Sequence, residues 1–343
     1  MDTSRDRIDE EARMTAIVGD GQMGLVLAQL LAEHDRLVRL TGPFPEHVRA
    51  LADARRSPRL PELALDPRVE VVESPSEALR GASMVVNAIP TQFIRAVWSP
   101  LRGAVEPGAI LVSVAKGIEV ATLRGPSDVL IDACGADGAV VKLSGPTIAA
   151  ELARRLPATM VAASTDESAA VETQRRFSGR WLRVYTSADP LGVELAGACK
   201  NVIALAAGML DGLGAGCNAK SALLARGLAE LVRLGLAMGA RAETFFGIAG
   251  VGDLATTCFS PEGRNRTCGE RIGRGERLDA ILASTQSVVE GVETSKAIVA
   301  LARRHGVELP IVEAVHEILF GGLSPARAIE ALMAREPKAE VVG

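Results

Sequence analysis

Between residues 14 and 185 the chain repeats one rhythm, and this limits its fold more than any other feature. Short runs of β-branched and aliphatic residues, at 15–18, 37–40, 69–72, 84–89, 109–114, 139–143, 159–163 and 182–185, alternate with stretches of helical spacing. Strands spaced by helices read as parallel strands joined by helical crossovers. After about Pro190 the β-branched runs thin out and Ala, Leu and Gly recur at helical intervals, which reads as an all-helical region. The expectation is an α/β fold: an N-terminal Rossmann-like, mostly parallel sheet domain over 14–190, followed by an all-helical C-terminal domain over 191–343. Residues 1–13 are mostly charged, lack an apolar run and read as a loose extension rather than a signal peptide. At 343 residues the chain suits two domains. Neither half carries an internal repeat.

Directly after the first strand run comes Gly19-Asp20-Gly21-Gln22-Met23-Gly24, a G-x-G-x-x-G motif that opens an apolar helix. In that setting the first glycine makes the tight turn, the second lets a pyrophosphate approach the backbone, and the third packs helix on strand. Amides and dipole at the helix start then hold the anion. A glycine-rich packing turn without ligand is the rival reading. The motif implies a dinucleotide, NAD or NADP, but not which one. NAD sites place Asp or Glu at the end of the second strand and NADP sites an Arg nearby, whereas this chain reads Leu40-Thr41-Gly42-Pro43 there. Arg39, His47 and Arg49 are the cations that could approach a 2′-phosphate, each otherwise an ordinary surface residue.

In the second half, Lys200 is the one formal charge between Leu195 and Leu210. A buried ammonium needs a partner or a depressed pKa. A lysine brought from ~10.4 toward ~7–8 can protonate the alkoxide formed when a ketone is reduced and take the proton back in reverse. The rival reading is a lysine snorkelling to water from a helix edge. Three other segments supply context. Lys116 follows a strand run, in Ser113-Val-Ala-Lys116-Gly117, where open α/β sheets bind ligands. Ser144-Gly145-Pro146-Thr147 also follows a strand and opens a helix, as an anion site or a simple cap. The stretch from Gly250 to Arg266 is loop-like, with Arg264 suited to bidentate phosphate binding and Asn265 beside it.

Composition narrows the partners. Net charge is −4 and aromatics make up 3%, so neither backbone attraction nor base stacking favours a nucleic acid. Lys200 and Asp211 interrupt the most apolar stretch, so no stable membrane insertion is expected. Cys134, Cys199, Cys217, Cys258 and Cys268 are scattered and odd in number, which argues against disulfides or a metal site and for the cytoplasm.

These segments together resemble the bacterial-type glycerol-3-phosphate dehydrogenase family, from about Thr15 to Met333. The most specific stretch runs Gly192-Val-Glu-Leu, Cys199-Lys200-Asn201-Val-Ile-Ala, Asp211-Gly-Leu-Gly, Asn218-Ala-Lys220 and Ala225-Arg226-Gly-Leu-Ala-Glu230. Gly252-Asp253-Leu, Thr257-Cys258, Arg264-Asn265-Arg266, Val288-Val-Glu290-Gly291, Leu309-Pro-Ile-Val and Leu323-Ser-Pro follow in the family's order.

The resemblance implies NAD(P)-dependent interconversion of dihydroxyacetone phosphate and sn-glycerol 3-phosphate, with Lys200 as proton donor and acceptor. It implies a substrate shell of Lys116, Gly145, Thr147, Lys200, Asn201, Asp253, Thr257, Arg264 and Asn265. Besides Gly19, Gly21 and Gly24, it puts Gln22, Met23, Lys116, Ala149, Arg264, Val288 and Glu290 on nucleotide-contacting positions. Lys116 would lower the pKa of Lys200 and Asp253 would raise it. The family usually carries Ser and an aromatic residue where Gln22 and Met23 stand, and Asp20 adds negative charge near the expected pyrophosphate. The Arg and aromatic residue common after the second strand are missing, Gly263 replaces the usual Ser and Ala196 the usual Gly. Two rivals follow: a non-catalytic NAD(P)-binding paralogue, motivated by the altered loop, and a dehydrogenase of the same plan with another hydroxy substrate. The implied cell task is supply of glycerol 3-phosphate for phospholipid synthesis. Dimers are the commonest soluble assembly, which makes a homodimer the default.

Overall fold

The structure, a computed structural model, describes residues 14–34, 37–285, 287–337 and 339–340. The extension read over 1–13 lies outside the described residues. The described chain forms two compact units. The first comprises residues up to Ala115, Pro126–Leu143 and Thr147–Pro190; the second takes Lys116–Gly125, Ser144–Pro146 and everything from Leu191 onward. Two short segments inside the first 190 residues, carrying Lys116 and Gly145, therefore pack with the helical unit.

In the first unit the eight strand runs all enter one sheet: β1 (Met14–Val18), β2 (Leu37–Thr41), β5 (Val69–Val71), β6 (Met84–Asn87), β7 (Ile110–Ser113), β8 (Val140–Ser144), β9 (Ala158–Ala163) and β10 (Leu182–Ser187). Their order is β10-β9-β8-β7-β6-β1-β2-β5. The pairs β1–β2, β1–β6, β2–β5, β6–β7, β7–β8 and β9–β10 are parallel. Parallel sheets need both faces covered, and the alternation of β1 shows how this is met. Met14, Ala16 and Val18 join an apolar cluster with Val85, Trp98 and Leu130. Ile17 joins another with Leu25, Leu40 and Phe177. Strand β1 lies between β2 and β6, where the winding reverses, so the glycine loop after it stands at the topological switch point.

A two-stranded antiparallel hairpin, β3 (Arg56–Ser57) and β4 (Leu60–Ala64), was not expected from the sequence. Pro58, Pro61 and the charges of Arg56, Arg59 and Glu62 hide the strand pattern. Leu60 and Leu63 nevertheless bury into the cluster around Ile17.

The helix Pro190–Gly212 forms the axis of the second unit, with every residue from Gly192 to Leu210 buried. It is long and apolar enough to cross a membrane, but 94% of its most apolar window is buried inside the protein. The helices Gly216–Ala237, Arg264–Gly273, Glu290–His305 and Pro310–Phe320 complete the unit's frame. Backbone meets backbone between Pro190–Gly212 and Arg264–Gly273. A Cβ on Gly208 would lie 1.9 Å from the Arg266 carbonyl oxygen, and one on Gly269 would lie 2.0 Å from that of Leu205. Only glycine allows this approach, and it fixes the height of Arg264 and Asn265 against Lys200 and Asn201. The stretch from Gly250 to Arg266, read as a loop, is mostly helical. A π-helical turn, Ile248–Gly252, leads into the helix Asp253–Phe259, and residues 260–263 join it to Arg264–Gly273.

Candidate active site

Lys200 lies midway along the buried axial helix, and its side chain is only 7% exposed. It does not snorkel. Its Nζ donates to the Thr257 Oγ1 at 2.5 Å and lies 3.2 Å from Asp253 Oδ1. The other carboxylate oxygen, Asp253 Oδ2, accepts from Lys116 Nζ at 2.6 Å, and Lys116 also donates to the Gly145 carbonyl at 2.9 Å. Thr257 Oγ1 stands 3.4 Å from Asp253 Oδ1 in turn. Asp253 and Thr257 can meet the same ammonium because they are four residues apart, on one face of a helix. One buried carboxylate thus bridges the two lysine side chains.

Burial is the largest cause acting on Lys200 and pulls its pKa below the usual lysine range; Asp253 opposes this and Lys116 reinforces it. The balance left open by the sequence therefore resolves downward, toward an amine that gives up its proton more readily than an exposed lysine.

A second array is built from amides. Asn265 Nδ2 donates to Asn201 Oδ1 at 3.0 Å, Asn201 Nδ2 donates to the Lys116 carbonyl at 3.4 Å, and the Gly291 N–H donates to Asn265 Oδ1 at 2.9 Å. This chain ties three helices and the Lys116 segment together. Glu290, one residue before Gly291, feels the charges of Arg264, Lys200 and Lys116, yet burial dominates and raises its carboxyl pKa. Arg264 itself is exposed at the start of its helix. Beside Lys116, the buried Ser144 hydroxyl has no hydrogen-bond partner among the described residues, and a Cβ on Gly197 would come within 3.2 Å of it. An unsatisfied buried hydroxyl next to an ammonium suits a polar ligand.

Below this array, Asp211 accepts from Lys220 at 2.8 and 2.7 Å and from Arg266 Nε at 2.7 Å. These partners anchor the helix that starts at Arg264. Of the sequence-derived substrate shell, Lys116, Gly145, Lys200, Asn201, Asp253, Thr257, Arg264 and Asn265 all fall in the second unit, whereas Thr147 falls in the first. Thr147 is not a helix cap: the helix Ala149–Ala153 has Ile148 at its cap position, with no side-chain cap bond. Val288 is exposed in the second unit.

In the first unit the glycine loop has the geometry a dinucleotide needs. Gly19 has φ 129°, and a Cβ there would lie 2.7 Å from the Ala88 carbonyl oxygen. A Cβ on Gly24 would lie 1.8 Å from the Gly19 carbonyl oxygen, whereas one on Gly21 would meet none of the described residues within 4 Å. The first and third glycines are thus required by packing, and the second opens a cradle at the start of the helix Gln22–Leu31. The buried Thr41 hydroxyl, at the end of β2, lacks a hydrogen-bond partner among the described residues. The residues fit a bound dinucleotide. Gln22 turns its amide to the Arg59 carbonyl at 2.7 Å, and Met23 and Ala149 pack partly buried against the apolar cluster; their backbones remain at helix starts. The charge of Asp20 is compensated by Arg59 at 3.0 Å. Arg39 and Arg49 pair with Glu70 and Glu73, and His47 Nδ1 lies 3.1 Å from Arg59 Nη2.

Residues 14–170 match the N-terminal domain model of NAD-dependent glycerol-3-phosphate dehydrogenase, and residues 189–330 match the C-terminal one. The chain belongs to this family. The glycerol-3-phosphate dehydrogenase [NAD(P)+] of Thermobifida fusca is 45% identical over 96% of this chain and 98% of its own length. The corresponding Chlorobium limicola protein is 44% identical over 95% and 99%. Among solved structures, the glycerol-3-phosphate dehydrogenase of Coxiella burnetii superposes with a TM-score of 0.90 at 31% identity, covering 94% of this chain and 99% of that one. Within the family pattern, the Lys200-Asn201, Asp253, Thr257 and Arg264-Asn265 motifs all stand in the second unit, and the departures at Asp20, Gln22 and Met23 all stand in the first.

Sequence reasoning missed two features. Arg59 gives no signal in the sequence, because the prolines and charges of its hairpin mask the strand pattern. The Gly208/Gly212 and Gly269/Gly273 pairs carried a readable signal, small residues four apart on two helices, that was not used.

Proposed function

We propose that this chain is an NAD(P)-dependent sn-glycerol-3-phosphate dehydrogenase that reduces dihydroxyacetone phosphate, with Lys200 as general acid and, in reverse, general base. NAD(P)H, when bound, supplies the hydride. Lys200 donates the proton that the ketone oxygen gains as it becomes the C2 hydroxyl. Thr257 and Asp253 hold the ammonium in place from one side, which leaves its remaining N–H for the substrate. Lys116 lends a second positive charge at the reacting oxygen. The exposed Arg264 guanidinium holds the phosphate, and Asn201 and Asn265 orient the hydroxyls. Gly145 and Thr147 complete the substrate shell. Gly19, Gly21, Gln22, Met23, Gly24 and Ala149, with Lys116, Arg264, Val288 and Glu290, contact the dinucleotide.

The observation that carries this reading is the buried Lys200–Asp253–Lys116 cluster in a chain of this family. A non-catalytic paralogue would have no reason to hold two ammonium groups around one carboxylate in a site 3% to 16% exposed, an arrangement costly in stability. We further infer that the product feeds phospholipid synthesis and that the enzyme works in the cytoplasm. Cys134, Cys199, Cys217, Cys258 and Cys268 are all free thiols, which suits a reducing compartment. A homodimer is the assembly to test first, by light scattering. The deciding experiment is steady-state kinetics with dihydroxyacetone phosphate against NADH and NADPH in parallel. Turnover with this ketone is expected; turnover only with a different hydroxy acid or ketone would refute the substrate, and nucleotide binding without any turnover would refute the activity.

A further inference from the structure

The end of β2 is where a Rossmann-type site tells NAD from NADP, through an acid for the free ribose diol or a cation for the 2′-phosphate. Here β2 ends in Thr41, followed by Gly42 and Pro43, and offers neither. The acid arrives from elsewhere. Asp20, between the first two loop glycines, is 6% exposed and turns its carboxylate onto Gly42. A Cβ on Gly42 would lie 2.5 Å from Asp20 Oδ1, so the missing side chain after β2 is what admits the carboxylate.

The cation also arrives from elsewhere. Arg59, in the turn of the β3–β4 hairpin, donates from Nη1 to Asp20 Oδ2 at 3.0 Å and from Nη2 to His47 Nδ1 at 3.1 Å. Its carbonyl accepts from Gln22 at 2.7 Å, which pins the hairpin to the glycine loop. Arg39 and Arg49 are held by Glu70 and Glu73.

We propose that the Asp20–Arg59 pair sets the cofactor preference and favours NADH over NADPH. This rests on the dinucleotide reading given above. A 2′-phosphate needs a guanidinium whose charge is uncommitted, and Arg59 is neutralised by Asp20. It would also face the Asp20 carboxylate, and like charges placed together discriminate strongly between ligands. A ribose diol can instead donate to that carboxylate, whose oxygens have acceptor sites beyond the one Arg59 uses.

The test is direct binding of NADH and NADPH, followed by the fluorescence of the bound reduced dinucleotide, in the natural chain, in Asp20→Asn and in the Asp20→Asn/Arg59→Ala double variant. The natural chain is expected to bind NADPH at least about tenfold more weakly than NADH, and Asp20→Asn to narrow that ratio about tenfold, a change of about 1.4 kcal/mol. The double variant should lose the NADPH gain, since Arg59 supplies it. Equal or tighter NADPH binding by the natural chain overturns the proposal, as does an unchanged ratio in a cooperatively melting Asp20→Asn. Should that variant fail to fold, displacement of NADH from the natural chain decides: 5′-AMP must compete better than 2′,5′-ADP, and the reverse order overturns the assignment. Binding of neither dinucleotide removes the dehydrogenase reading as well, whereas NADPH preference removes this inference alone.

Discussion

Replacing Asp253 with Asn keeps the shape of the side chain and removes the one negative charge between Lys200 and Lys116. Asp253 Oδ1 lies 3.2 Å from Lys200 Nζ, and at an effective dielectric of ~20 that contact is worth about 5 kcal/mol. Part of the loss is recovered, because the amide oxygen and Thr257 still accept hydrogen bonds and because Lys200 can shed its proton. The net effect is a further fall in the pKa of Lys200, on a group that burial already holds below the lysine range. Ketone reduction requires the protonated amine, so its rate is lost as pH rises through that pKa. The basic limb of kcat/KM for dihydroxyacetone phosphate should therefore move to lower pH. The assay is NADH oxidation across pH for the natural chain and Asp253→Asn, with thermal melts to establish that the variant folds. A basic limb at unchanged pH, with only the amplitude reduced, would refute the claim that this carboxylate governs the charge of Lys200.

Lys200→Ala should lower kcat by about 10²- to 10⁴-fold while the Kd for NADH stays close to that of the natural chain; near-normal turnover would remove its assigned role. Arg264→Lys keeps the charge but loses the guanidinium fork, and should raise KM for the phosphorylated ketone by about 10- to 100-fold with a smaller change in kcat. Glu230 accepts from the N–H groups of Ile311 at 2.8 Å and Val312 at 3.2 Å, and its pKa is pushed up to about 7, chiefly by burial. The folded chain thus holds this proton more tightly than the unfolded one. The associated stability, about 3 kcal/mol, is complete below the unfolded value near 4.5 and lost as pH rises through about 7. Glu230→Gln should flatten that part of the stability curve in melts taken between about pH 5 and about pH 8; an unchanged slope would show that another group is responsible.

The alternation of strand and helix was legible because each strand is short, apolar and bounded, and all eight runs read from the sequence enter the main sheet. The hairpin at Arg56–Ala64 was not, since two prolines and three charges mask a strand whose burial rests on Leu60 and Leu63 alone. Lys200 was legible as a lone charge in an apolar helix. Whether it snorkelled or stayed inside depended on partners 53 and 57 residues away, Asp253 and Thr257.

The sequence by itself determined the class of the fold, the place of the glycine loop and the motifs that identify the family. These depend on local period and on residues adjacent in the chain. Only the tertiary structure decided which way the pKa of Lys200 moves and which cation meets Asp20. Burial and Coulomb attraction act through space, and nothing in residue spacing shows that Lys116 and Lys200 share one carboxylate, or that Arg59 reaches back 39 residues to the loop after β1.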